Sequence, residues 1–185
     1  VSLVRGLNHA GQSNYQSFFV ARPDSDINLI TDIRDKKMAF GNRDSTQGHL
    51  IPRIMMLEHN ISLQELKNYV YTGSHRNCAE AVLADKADVC GMQDTLAKEM
   101  IEKGLLKIVH KSYFYPSSGV AANKGVSIQV RKAVQDALVR FKPKGQHKDG
   151  LYNWHLTEMP FGFEVASEHD YAAMENWMHK LGMIN

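Results

Sequence analysis

The sequence predicts an α/β protein with a mostly parallel sheet, on three observations. Short apolar runs alternate with amphipathic stretches of about 10–15 residues, the pattern of successive strand–helix–strand units. Ser or Asp residues stand where the amphipathic stretches begin and can cap helix N-termini. Polar, glycine-containing segments follow two of the strands, where α/β sheets commonly bind ligands.

The order of the elements follows from these patterns. Pro52 lies inside the first long helix, where it costs a backbone hydrogen bond and should kink or loosen the helix. Consecutive apolar side chains at residues 18–20 predict a strand buried on both faces. Strands are predicted at residues 1–4, 15–22, 38–40, 69–71, 87–92, 105–110 and 119–123. Helices are predicted at residues 45–60, 74–86, 94–103, 127–141 and 167–181, with short helical turns near 29–34 and 62–65.

Composition excludes several classes of protein. The 185 residues can form one large domain or two small lobes, and 43% hydrophobic and 23% charged residues are ordinary for a globular protein. A net charge of +2 with mixed signs argues against a nucleic-acid binder, which concentrates Lys and Arg on one face. No apolar run approaches the roughly 18–20 residues that span a bilayer.

Two cysteines, Cys78 and Cys90, show no metal-binding spacing. The first lies in a helical pattern and the second in a strand pattern. We expect two buried free thiols, and a disulfide between them stays open as the alternative.

The stretch from Lys37 to Leu57 reads as strand, tight loop and helix. The first turn of this helix is small and polar, with Ser45, Thr46 and Gln47 followed by Gly48. Unpaired backbone N–H groups, two hydroxyls and the positive end of the helix dipole favour an anion there. The simpler alternative is an ordinary capped helix.

A second polar segment, Gly73-Ser74-His75, follows the next strand and opens the next helix. The imidazole of His75 can donate a hydrogen bond and, when protonated, supply a charge. Alternatively His75 is simply a first-turn residue exposed to water.

Several motifs in order resemble the periplasmic phosphonate- and phosphite-binding proteins of ABC importers. They are Tyr15-Gln16-Ser17, the run AFG-x-x-x-STxGHLIPR from Ala39 to Arg53, Gly73-Ser74-His75, and the run from Ala79 to Gly91. The similarity covers residues 14–125 well and the C-terminal third loosely. It implies a two-lobed, type 2 periplasmic-binding-protein fold that closes on its ligand.

The resemblance also implies a division into lobes. Residues 1–22 would form the first part of lobe 1 and the hinge, residues 23–115 lobe 2, and residues 116–185 the return of lobe 1 with a C-terminal helix. The opening strand–helix portion of lobe 1 is expected to be missing. Apolar faces left uncovered would then be buried by a second copy of the chain or by another segment of the protein.

Site residues carry over from the resemblance one by one. Ser45 and Thr46 match residues that hold phosphonate oxygens, and His75 matches an oxyanion-binding histidine. Aminophosphonate binders place acidic residues around the ligand's ammonium group at two positions. At the first the chain offers Gln93 and Asp94, but at the second, residues 115–118, it has no carboxylate, so a plain oxyanion is favoured over an ammonium-bearing one. The predicted ligand-binding residues are Tyr15, Ser45, Thr46, Gln47, His75, Gln93 and Asp94.

The predicted function is capture of phosphonate, phosphite, phosphate or a related oxyanion for an ABC permease, in the periplasm or outside the cytoplasmic membrane. No cofactor, catalytic residue or metal is expected. One alternative is the sensing input domain of a receptor, coupled to a signalling module. A phosphoryl- or acyl-transfer enzyme is less favoured because GxxxxGK[ST], GxSxG and HExxH motifs are absent. Metal binding by the nine scattered histidines is disfavoured because metal ligands normally cluster.

Overall fold

The computed structural model describes residues 1–184, which divide into two compact units. The first unit is formed by Val1–Tyr15 and the chain from Phe114 onward, and the second by Gln16–Tyr113. Among the described residues, no helix has the length and apolar character needed to cross a membrane.

The predicted strands and helices are present in the predicted order, but the strand predicted over residues 15–22 is divided in two, and short strands at residues 115–116 and 163–165 were not predicted. The strands are β1 Ser2–Gly6, β2 Asn14–Tyr15, β3 Ser17–Ala21, β4 Lys37–Phe40, β5 Asn68–Tyr71, β6 Val89–Gln93, β7 Lys107–Lys111, β8 Tyr115–Pro116, β9 Gly119–Ala121 and β10 Phe163–Val165. The α-helices are α1 Ile51–Glu58, α2 His75–Leu83, α3 Asp94–Glu102, α4 Ile128–Arg140 and α5 Glu168–Lys180. Short 3-10 turns lie at Ile30–Ile33, Leu63–Glu65, Lys148–Gly150 and Trp154–Leu156, and a π turn at Thr46–Leu50.

The second unit contains a five-stranded mixed sheet with the order β5-β4-β6-β3-β7. β4 pairs in parallel with β5 and β6, whereas β3 pairs antiparallel with both β6 and β7. The α/β class is therefore confirmed, but the prediction of mostly parallel pairing holds only for β5-β4-β6. All five residues of β3 are buried, as its apolar run predicted.

The boundary between the units differs from the predicted lobe boundary at residues 22 and 23. Because β3 pairs with β6 and β7, residues 17–21 belong to the second unit rather than the first. The return to the first unit comes at Phe114, slightly before the predicted position after residue 115.

The cysteines are joined, so the expectation of two free thiols is wrong. A disulfide links Cys78 of α2 to Cys90 of β6, and both residues are fully buried. α2 packs on the sheet so that the two Cα atoms are 5.7 Å apart, within the usual range for a disulfide. Around it lies the core of the second unit, with Phe18, Val82 and Met92 fully buried.

The first unit contains a three-stranded antiparallel sheet, β10-β1-β9, and the two-stranded ribbon β2-β8. Its core is the buried cluster of Leu3, Val4 and Phe163. The predicted helix over residues 127–141 has an apolar stripe of Val130, Val134, Leu138 and Phe141, and the last two of these residues pack against this cluster. Val130, nearer the start of the stripe, is 52% exposed. The stripe is therefore partly buried at its C-terminal end and exposed nearer its start.

Candidate functional site

Three helical segments of the second unit begin where neighbouring parallel strands end. The π turn that leads into α1 follows β4, α2 follows β5, and α3 follows β6. Because these strands run parallel and adjacent, their carboxyl ends meet at one edge of the sheet. The three N-termini therefore bring their positive dipole ends to the same edge, and the first N–H of α3, on Asp94, already donates to the Gln16 carbonyl (3.2 Å).

The loop after β4 is closed by hydrogen bonds that place Ser45 as the N-cap. Asp44 N–H donates to Asn42 Oδ1 (2.9 Å), and Ser45 N–H donates to the Asn42 carbonyl (3.0 Å). Gly48 N–H then donates to Ser45 Oγ (2.9 Å), which satisfies one first-turn donor. Ser45 is therefore the residue that caps this segment, and its hydroxyl proton can still be donated.

The first turn of this segment is wider than an α-helical turn. Leu50 N–H donates to the Ser45 carbonyl five residues back (3.1 Å), which makes it a π turn. Pro52 lies in the first turn of α1, where a helix needs no backbone N–H from that residue. The predicted loosening of the helix is therefore found in the π turn before the proline. As first-turn groups, the N–H donors of Thr46 and Gln47 have no intrahelical acceptor.

The π turn, the end of β4 and the start of α2 approach closely at Gly41 and Gly48. Gly41 N–H donates to the Gly48 carbonyl (2.8 Å), and Gly73 N–H donates to the Gly41 carbonyl (3.2 Å). A Cβ added at Gly48 would lie 3.0 Å from both Ser45 Oγ and His75 Cε1. The imidazole of His75 therefore packs directly against the turn that carries the predicted anion-binding hydroxyls.

The imidazole of His75 also contacts a backbone group at the end of β6. Gln93 N–H donates to His75 Nδ1 at 3.3 Å. With Nδ1 accepting, the neutral ring carries its proton on Nε2, the tautomer that can donate to an oxyanion. Ser74 caps α2 by accepting from Asn77 N–H at 3.1 Å.

Gln47 and Asp94 are buried and take part in a polar network. The Gln47 amide donates to the Gln16 carbonyl (2.8 Å) and lies 3.4 Å from Asp94 Oδ1, while Asp94 Oδ2 accepts from Lys98 Nζ (2.8 Å). The prediction that Asp94 caps its helix is wrong, because Gln93 occupies the N-cap position without a side-chain bond.

The structure brings six of the seven predicted site residues into the second unit. Ser45, Thr46, Gln47 and His75 lie at the first two helix starts, and Gln93 and Asp94 at the third. Tyr15 belongs to the first unit, where it pairs with Tyr115 across β2 and β8. Its predicted role stays a prediction.

One residue of this region was not singled out from the sequence. His49 is buried, with Nδ1 at 2.7 Å from the Arg43 carbonyl and Nε2 at 2.9 Å from the Tyr71 hydroxyl. Burial holds the pKa of His49 below its ordinary value, which favours the neutral ring. His49 thus links the loop before Ser45, through the Arg43 carbonyl, to Tyr71 of β5 by hydrogen bonds. His49 lies within the run from Ala39 to Arg53, directly after Gly48, and this position could have identified it from the sequence.

Comparison with known proteins agrees with this architecture. Residues 1–171 match the family described as ABC transporter, phosphonate, periplasmic substrate-binding protein. The phosphate-import protein PhnD of Mycolicibacterium smegmatis is 31% identical over 137 residues, which is 66% of this chain and 43% of that protein. The chain thus spans less than half the length of this curated relative.

Solved structures show the same fold at low sequence identity. A Xanthomonas citri protein bound to ATP has a TM-score of 0.82 at 18% identity, over 99% of this chain and 71% of that one. PhnD1 of Prochlorococcus marinus in complex with methylphosphonate has a TM-score of 0.79 at 16% identity, over 99% and 72%. The chain belongs to the family of periplasmic phosphonate-binding proteins of ABC transporters.

Proposed function

We propose that this chain captures a small tetrahedral oxyanion, a phosphonate, phosphite or phosphate, as part of the substrate-binding component of an ABC-type importer. Binding, not catalysis, is its task. A permease would be the partner, and the site of action lies outside the cytoplasmic membrane.

The meeting of three helix N-termini at one sheet edge carries the proposal. Ser45 and Thr46 offer hydroxyl donors at the first N-terminus, and His75 offers a ring N–H at the second. Gln93 precedes the third, α3. Hydrogen bonds to a charged group are each stronger than neutral ones, and helix N-termini favour negative charge. A dianion can therefore be held without a metal.

The names of relatives point to the same ligand class. The Mycolicibacterium smegmatis relative is named for phosphate import, and the Prochlorococcus marinus structure holds methylphosphonate. Both are tetrahedral oxyanions with several acceptor oxygens. We carry this class to the present chain because its donors, unlike a set of carboxylates, suit an acceptor-rich ligand.

A ligand screen with one pair of variants tests the proposal. Thermal unfolding is followed with methylphosphonate, phosphite, phosphate, sulfate and nitrate, and the best ligand is then titrated by calorimetry. Loss of one hydrogen bond to a charged ligand costs about 1.5–3 kcal/mol, so Thr46→Ala should weaken binding roughly 10- to 100-fold. Thr31→Ala is the control, because Thr31 is exposed on a separate short turn. No binding of any tested oxyanion, or equal affinity of the two variants, would refute the proposal.

A further inference from the structure

We propose that Lys98 sets the selectivity of this site by neutralising the Asp94 carboxylate, so that phosphonates carrying an ammonium group are disfavoured. The inference rests on the proposed function. It concerns the organic part of the ligand, which in some phosphonates carries an ammonium group.

Asp94 is buried beside the anion-binding segment. It is the first residue of α3 and only 7% exposed, and it follows Gln93, whose N–H contacts His75. Its Oδ1 lies 3.4 Å from the amide of Gln47, one residue after Thr46. A carboxylate in contact with the first turn of the anion-binding segment would repel a bound dianion and attract a cationic group.

Lys98 forms an ion pair with Asp94. Its Nζ lies 2.8 Å from Asp94 Oδ2, one helical turn further along α3, and 5.6 Å from the centroid of the Phe18 ring. The ammonium is therefore held by an ion pair and by a cation–π contact. The Lys98 side chain is 54% exposed and that of Asp94 10%, so the lysine can be changed with little effect on packing.

The other polar side chains at these helix starts carry no buried charge. Gln47 and Gln93 are uncharged amides, and Asp44 is exposed on the loop before the π turn. Asp94 is thus the buried carboxylate among these residues, and Lys98 decides whether its charge acts on a ligand. Removing Lys98 should leave the Asp94 carboxylate without its ion-pair partner.

The chain provides a matched control on the same helix. Lys103 and Glu99 form another ion pair with the same (i, i+4) spacing, at 2.5 Å, and both side chains are more than half exposed. Lys103 is the C-cap of α3, so Lys103→Gln removes the same charge from the end of this helix without touching Asp94. Any general effect of net charge or helix stability will therefore appear in both lysine variants.

The experiment titrates methylphosphonate and 2-aminoethylphosphonate into the parent chain, K98Q and K103Q by calorimetry. We expect K98Q to shift the affinity ratio toward 2-aminoethylphosphonate by about tenfold, since like charge opposes the oxyanion and opposite charge attracts the ammonium. K103Q should keep the parent ratio. In D94N/K98Q the shift should disappear, because no carboxylate is left to bind the ammonium.

The outcomes separate the two proposals. If the parent chain binds methylphosphonate but K98Q keeps the parent ratio, the role of Lys98 is refuted and the proposed function stands. An equal shift in K98Q and K103Q would assign the effect to net charge and also refute it. If the parent chain binds neither ligand, the proposed function fails and the inference fails with it.

Discussion

Reduction of the Cys78–Cys90 disulfide should lower the free energy of unfolding of the second unit by about 3 kcal/mol. The bond joins residues separated by 12 positions, and closing a loop of about 15 residues in the unfolded chain is worth roughly 3 kcal/mol. The chain contains two cysteines, so a reductant acts on no other bond. Urea unfolding followed by circular dichroism should show a midpoint roughly 1–3 M lower with reductant than without.

The double variant Cys78→Ala/Cys90→Ala is the control, because its urea midpoint should not respond to reductant. Thiol alkylation provides the test of the bond itself. The oxidised protein, denatured without reductant, should take up no iodoacetamide. Two adducts per chain under those conditions would refute the disulfide and the stability argument built on it.

Three further results are expected. His75→Ala should weaken oxyanion binding roughly 10- to 100-fold in calorimetry, and His75→Gln should recover part of the loss, whereas equal affinities would show that the ring does not bind the ligand. Gly91→Ala should destabilise by about 1–3 kcal/mol in urea unfolding, because its Cβ would lie 2.7 Å from Pro52 Cγ; Gly125→Ala, whose Cβ would meet no atom closer than 3.6 Å, should be near neutral. Burial and a facing imidazole hold the pKa of His110 below its ordinary 6.5. The unfolded chain therefore binds the proton first as the pH falls through about 6.5, and stability present above that pH is lost below it. His110→Gln should lose less stability than the parent between about pH 7.5 and 5.5, and an identical loss would contradict this.

Local chemistry explains what the sequence predicted well. Consecutive apolar residues made β3 recognisable as a doubly buried strand, and every residue of it is buried. Ser74 and Ser127 were expected to open helices, and each accepts a hydrogen bond from the third residue of its helix. These features depend on neighbours in the sequence, so pattern and capping rules suffice.

Features that depend on packing between distant segments were missed. A run of apolar residues predicts a strand but not whether it runs parallel or antiparallel to its neighbours. The pairing of β3 with β6 and β7 places residues 17–21 in the second unit, which the sequence pattern did not predict. The disulfide depends on how α2 packs on β6, which no spacing of the two cysteines reveals. By contrast, the pair of Asp94 and Lys98 has (i, i+4) spacing on a predicted helix and could have been identified beforehand.

An oxyanion bound where the three helical segments begin must perturb the backbone amides at that edge of the sheet, and nuclear magnetic resonance measures this directly. Methylphosphonate is titrated into the ¹⁵N-labelled chain. Saturable downfield shifts are expected for the amide protons of Thr46, Gln47, His75 and Arg76, with amides in the last turn of α1 unchanged. Shifts confined to other parts of the chain, or none at a saturating concentration, would contradict an oxyanion site at these helix N-termini.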